Sequence, residues 1–265
     1  MSYFEEVKLT YLESWPAALS DLSIPQVEVQ LTLEEASALG SNIIELFEAF
    51  GEPAGRDISG IRERVDRAIR QFPNGAFVRL GSRSPKDSWR GLREGFRCCD
   101  GEKAVGLLTD CSERIADDLQ LAIAENYKPR IFVREWQDIP EWSEFRCFMK
   151  DRRLVGISQY NYLKKRCFPE IEVQADYLRM AIEDFFERFR TACHLDTVIF
   201  DVFIKQQVCL LAKTVGSCFW QVKLIEINPF FDLTDPCLFR WGADADFDGS
   251  FRFIRSGETV SFGRR

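Results

Sequence analysis

The stretch FWQVKLIEINPFFDLTDPCLFRW, residues 219–241, runs from a strand-like apolar pattern into a carboxylate, an amide and a proline. Residues i and i+2 of a strand point to one face, so Glu226 and Asn228 share an environment where this strand ends. Two arrangements would satisfy them: a hydrogen-bonded pair at a strand end, or oxygen ligands around a bound group. A second strand pattern, VIFDVFI (198–204), holds Asp201 inside a very apolar run. A carboxylate buried there is costly unless a cation or good donors offset the lost hydration. One hairpin-like connection separates the two strands, which makes Asp201, Glu226 and Asn228 candidate cross-strand neighbours. Two carboxylates and an amide oxygen suit Mg2+ shared with a phosphate. A carboxylate paired with one of the chain's arginines suits the pattern equally well.

Outward from this stretch, SEFRCFMKDRRLVGISQYNY (143–162) predicts a hairpin turning at Asp151-Arg152. Residues 170–193 predict the longest helix, with Ile171, Ala175, Leu178, Ile182, Phe185 and Phe189 recurring at steps of three and four. RIFVREW (130–136) and residues 76–81 read as strands, and 112–125 as a helix. Thr32 followed by Glu34-Glu35 predicts a capped helix running on to Phe50. GEPAGRDISG (51–60) is a linker candidate, followed by a helix over about 60–72 and a turn at Asn74-Gly75. Pro16 and Pro25 break residues 7–31 into pieces that fit strands or irregular structure. The result is an α+β chain whose second half is mainly antiparallel sheet under one long helix.

Composition narrows the function. A chain of 265 residues, 46% hydrophobic and 29% charged, has room for one large domain or two small ones. No apolar run approaches the ~20 residues of a membrane helix. The opening MSYFEEVKLTYLESW has acids where a signal peptide needs basic residues. A cytoplasmic protein with no membrane attachment is expected. Nine scattered cysteines without a CxxC spacing read as reduced thiols, and the single histidine, His194, supports neither a zinc cluster nor a Ser-His-Asp mechanism. A net charge of −7 argues against DNA as a partner. The basic pieces Arg62/Arg64/Arg67/Arg70, Lys164-Lys165-Arg166 and Arg264-Arg265 read as solvated faces. Arg79 in FVRLGSRSPKDS (77–88), with Arg83 and Lys86 after it, and the strand-borne Arg134 and Arg146 remain. They form either a salt-bridged sheet face or a triphosphate cradle. Neither GxxxxGK[ST] nor GxGxxG occurs, so a P-loop or Rossmann site is not expected.

The segments EFRCFMKDRRLVGISQYNY, VIFDVF and VKLIEINPFFDLTDPCLFRW, with FVRLGSRSPKDS upstream, resemble the cell division cycle protein 123 family over nearly the whole chain. The resemblance implies an ATP-grasp-like fold, with the nucleotide between two α+β subdomains, here 1–128 and 129–265. It implies ATP and Mg2+ as cofactors, with Asp201, Glu226 and Asn228 as metal ligands; Glu226 stands where relatives often have Asp. Arg79 falls where the family carries a phosphate-binding lysine, and Lys86 where it carries an arginine. Ser82, Ser84, Arg134, Glu135, Trp136 and Arg146 complete the implied nucleotide contacts, with Arg79 and Arg146 as catalytic charge stabilisers. Two activities follow from the resemblance. One is an ATP-grasp ligase acting on a protein, peptide or RNA end, which requires no histidine base. The other is an ATP-dependent assembly chaperone that engages a translation GTPase subunit, the gamma subunit of translation initiation factor 2. The acidic insertion and C-terminal extension of eukaryotic members have no counterpart here, which points to a compact member.

Overall fold

A computed structural model describes residues 2–43, 55–208, 218–242 and 246–263. The chain forms two compact units, one of residues 1–14 and 25–137, the other of 15–24 and 138–265. The expected division at 128/129 would have separated Arg130–Glu135 (β3) from the strands it pairs with. In the structure β3 hydrogen-bonds Gln26–Gln30 (β1) on one side and Ala76–Leu80 (β2) on the other, both antiparallel, in the order β1-β3-β2.

Residues 7–31, expected as strands or irregular structure, include the strand β1 but also two short 3-10 turns and the helix Ala17–Ser20 (α2), and Tyr3–Val7 (α1) precedes them. Ser2 caps α1, and Pro16, placed as N-cap, opens α2 rather than breaking a strand. Thr32 builds the expected capping box with Glu35 at the start of Leu33–Ser41 (α3). The expected continuation to Phe50, and linker residues 51–54, lie outside the described residues. Ser59–Ile69 (α4) and Glu113–Ala124 (α7) match the periodicity. Between them lie two helices with no strong sequence pattern, Trp89–Glu94 (α5) and Gly101–Thr109 (α6). The core of this unit lies on one face of its sheet, where Val29, Val78 and Val133 meet Leu39, Ile61 and Leu108 of the helices.

The second unit is a six-stranded sheet in the order β7-β6-β4-β5-β8-β9, formed by Glu144–Lys150 (β4), Arg153–Gln159 (β5), Val198–Val208 (β6), Cys218–Asn228 (β7), Phe251–Arg255 (β8) and Glu258–Phe262 (β9). All pairings are antiparallel except β5 with β8. The β4–β5 hairpin turns at Asp151 and Arg152, both with left-handed backbone (φ 49° and 58°), as a two-residue type I′ connection requires. One face of the sheet packs under Pro169–Ala192 (α8), where the Phe189 ring stacks on Phe200 at 4.1 Å and Phe186 on Phe200 at 6.2 Å. The fold is α+β with a mainly antiparallel C-terminal sheet. Among the described residues no helix is long and apolar enough to cross a membrane.

Candidate functional site

The face of the second sheet turned away from α8 is crossed by a row of polar residues. Cα partners in a sheet project to the same side, and the register aligns Glu226 (β7) with Asp201 (β6), Asp201 with Arg146 (β4), Arg146 with Ser158 (β5), and Ser158 with Arg252 (β8). Glu226 owes its place to a bulge. Val202 pairs with Leu224, so an unbroken ladder would set Ile225 opposite Asp201; the register shift sets Glu226 there instead. The sequence records the same slip: Val222 and Leu224 are buried in alternation, then Ile227, three residues on. Bulges that re-aim one side chain are common beside functional sites. Asn228 lies opposite Ile199, one turn of the pleat beyond Glu226.

Asp201 is fully buried, and Arg146 nearly so. They form a bidentate ion pair, Nε to Oδ1 at 2.8 Å and Nη2 to Oδ2 at 2.7 Å, while Nη1 donates to the Asp235 carbonyl at 2.7 Å. Burial alone would lower the Arg146 guanidinium, but the charge and hydrogen bonds of Asp201 outweigh it and hold it well above arginine's ordinary value. The flanking thiols Cys147 and Cys237 are raised by burial, and further by the Asp201 carboxylate. Of the two arrangements open at the sequence level for Asp201, the structure shows the arginine pair. It places Arg146, expected at phosphate, against Asp201, expected at metal. Glu226 and Asn228 are half-buried, and the Asn228 amide stands 3.5 Å from Glu226 Oε1.

The segment 229–241 covers this face. Asp235 accepts from the Tyr162 hydroxyl through both carboxylate oxygens at 3.0 Å, and burial followed by Asp235 pushes the Tyr162 phenol up to about 12. Leu238 N donates to Ser158 Oγ at 3.2 Å, and Trp241 Nε1 donates to the Thr234 carbonyl at 2.7 Å. Phe239 lies on Gly156, where an added Cβ would come within 2.6 Å of its ring. That ring stacks on Phe247 at 5.1 Å, meets Phe148 at 5.0 Å and carries the Arg252 guanidinium 4.0 Å from its centroid. Sequence reasoning did not single out Ser158, Arg252, Gly156 or Tyr162. Only the strand register, which aligns Ser158 and Arg252 with Arg146, exposes their role.

The remaining expected residues lie in the first unit. On its sheet, Arg79 sits opposite Phe132, and Arg134 opposite Phe77 and Gln26, so both arginines share the face turned away from that unit's helices. Both are buried. Arg79 donates to the carbonyls of Leu80 (3.0 Å) and Ser82 (3.3 Å), which fixes the start of the loop that follows β2. In that loop Ser84 is buried, Ser82 half-buried and Lys86 exposed. Arg83 Nε lies 3.2 Å from Asp118 of α7. Burial raises the Asp118 carboxyl, opposed by Arg83 and a hydrogen bond from Ser82. Asp118 is a further residue the sequence did not mark, since it lies on a helix far from the motif. Glu135 Oε2 accepts from Gln137 Nε2 at 2.9 Å, and Trp136 N donates to the Gly75 carbonyl at 3.0 Å.

Among the described residues no cluster of three or more His, Cys, Asp or Glu side chains is arranged to hold a metal by itself. Glu226 and Asn228 supply hard oxygen donors at one strand end. That set fits Mg2+, which commonly takes only one or two protein carboxylates and completes its shell with phosphate and water.

The D123 family model matches residues 47–260. Curated relatives named "Translation initiation factor eIF2 assembly protein" include one from Vanderwaltozyma polyspora, 34% identical over 68% of this chain and 50% of its own length, and one from Sclerotinia sclerotiorum, 31% identical over 69% and 44%. "Cell division cycle protein 123" of Eremothecium gossypii is 32% identical over 70% of this chain and 50% of its own. The chain spans about half the length of these relatives. The solved structure of Cdc123 from Schizosaccharomyces pombe has the same fold, with a TM-score of 0.69 at 21% identity over 91% of both chains.

Proposed function

This chain belongs to the D123 family, that of the cell division cycle protein 123 proteins, and on that premise we propose that it is an assembly factor for a translation GTPase subunit, with Mg-ATP as a bound structural or switching element. The names of its relatives support the partner. The observation that carries the role of the nucleotide is the buried Arg146–Asp201 pair. All three Arg146 nitrogens are engaged within the protein. A guanidinium committed in this way organises the strand ends but is poorly placed to follow a phosphoryl group in transit. Arg146 is therefore a positioning residue in this reading, and Asp201 its counter-ion. Glu226 and Asn228 would hold the magnesium, whose charge would offset that of the ATP phosphates. Arg79, Ser82, Ser84, Lys86, Arg134, Glu135 and Trp136 of the first unit are the residues this reading offers to a nucleotide, and of these Lys86 is exposed.

Titration calorimetry with Mg-ATP tests the site. Asn228→Ala and Glu226→Gln should abolish magnesium-dependent binding while leaving the circular dichroism spectrum unchanged; unchanged affinity in both overturns the metal assignment. Chromatography of Mg-ATP incubated with the protein and a purified gamma subunit tests the role. Nucleotide-dependent complex formation without ADP or AMP supports an assembly factor. ADP or AMP accumulating above a Glu226→Gln control overturns it in favour of ligase-type chemistry.

A further inference from the structure

The loop between β5 and α8 holds a conformation that its own residues resist. Lys164 and Lys165 both have left-handed backbone, with φ of 57° and 51°, a region that disfavours residues with long side chains. Two in succession persist only where the surroundings over-determine them, and such places cluster at functional sites. Here the surroundings are explicit. Gln159, fully buried at the end of β5, donates from Nε2 to the carbonyls of Asn161 (2.7 Å) and Arg166 (2.8 Å), which closes the loop across its neck. Its Oε1 accepts from Ile254 N of β8 at 3.0 Å. Asn161 Nδ2 donates to the Glu141 carbonyl at 2.8 Å, the Tyr162 hydroxyl to Asp235, and Gly257 N to Cys167 Sγ at 3.2 Å.

None of these anchors uses the side chains of Leu163, Lys164 or Lys165, and all three are exposed, Leu163 at 68%. Arg166 is paired with Glu141, whereas among the described residues neither lysine is in an ion pair. The Tyr162–Asp235 bond ties in a second exposed leucine, Leu233, two residues before Asp235 and 76% exposed. The fold thus presents two ammonium groups and two leucines on segments joined by the Tyr162–Asp235 bond, and none of the loop's described bonds depends on them.

We propose that Leu163, Lys164, Lys165 and Leu233 form a docking surface for an acidic protein segment that carries apolar side chains. The inference stands apart from nucleotide binding. The two lysines on a chain of net charge −7 give a local, short-range attraction, which suits a short acidic segment better than a polyanion. Leucines offer no stacking platform for bases, so a protein fits this surface and a nucleic acid does not.

The probe is a fluorescein-labelled peptide of repeating Glu-Leu-Glu, compared by anisotropy with oligoglutamate of equal length and with oligouridylate. The Glu-Leu-Glu peptide should bind best, and Lys164→Glu/Lys165→Glu should weaken it by about tenfold or more at low salt, as reversing two charges in an interface does. Leu163→Ser should abolish the preference over oligoglutamate. Lys164→Gly/Lys165→Gly should lose binding yet melt no lower than the parent, because glycine is at ease at positive φ. Equal affinity in the charge-reversed protein, or tighter binding of oligouridylate, overturns the proposal.

Discussion

The Arg146–Asp201 pair lends itself to a double-mutant cycle. Their side chains are 7% and 1% exposed, and both bonds of the bidentate contact are short. Arg146→Met leaves a buried carboxylate without its cation, and Asp201→Leu leaves a buried guanidinium without its anion; each should cost about 3–5 kcal/mol. Removing both charges together removes the mismatch. What remains in the double variant is the Asp235 carbonyl, deprived of the Nη1 donor, at about 1–3 kcal/mol. The coupling energy is then at least about 3 kcal/mol, at the upper end of what contacting residues show. Urea denaturation followed by intrinsic fluorescence measures this, since Trp15, Trp142, Trp220 and Trp241 report on the second unit and Trp89 and Trp136 on the first. Because two units can unfold separately, the transitions must be resolved before free energies are assigned. Single variants each costing below about 1 kcal/mol, or a double variant as unstable as the sum of the singles, would refute the view of a mutually dependent buried pair.

Further outcomes follow from single features. Gly156→Ala should destabilise by about 1–3 kcal/mol, because the new methyl meets the Phe239 ring inside an aromatic cluster that leaves it little room to move; melting temperature and near-ultraviolet circular dichroism would report it. Thr32→Ala removes half of a reciprocal capping box and should cost about 1 kcal/mol by denaturation. Glu13 accepts from the Tyr127 hydroxyl at 2.9 Å and is raised above its ordinary value chiefly by burial. The folded state therefore holds its proton more tightly than the unfolded one, so the contribution is greatest below the ordinary carboxyl range and is lost as pH rises through the raised value. Glu13→Gln should flatten the fall in stability between acid and neutral pH; a profile unchanged by the substitution would count against a buried, proton-retaining carboxyl.

Much of the second unit was legible because its strands are long and bounded by strong signals. The β4–β5 hairpin, α8 and β7 lie within a few residues of where periodicity put them, as local pattern and tertiary packing ask for the same structure there. The adjacency of Asp201 and Glu226 was also foreseeable from two strands joined by one connection. Their partner was not: choosing a cation or an arginine for Asp201 requires the register of a third strand, β4, which no pattern within β6 or β7 contains. Residues 7–31 were read only in part, because two prolines in a short apolar stretch mark breaks without saying what lies between them: β1 is a strand, but the part before it is helical. The helices α5 and α6 and the β8–β9 hairpin were missed for a related reason. They are short, and tertiary contacts rather than propensity decide them.

The bulge at Ile225 divides β7 into two segments that answer to different rules. From Trp220 to Leu224 the strand alternates in one phase, and from Glu226 to Asn228 in the other. A designer could therefore lengthen or shorten the outer segment in steps of two residues without disturbing which side Glu226 faces. Removing the single residue Ile225 would merge the phases: Glu226 would follow Leu224 directly and still fall opposite Asp201, with Val222 and Leu224 still in the core, so the ladder would become regular and lose its local bend. One inserted residue sets the bend between a strand that packs and a strand end that can bind.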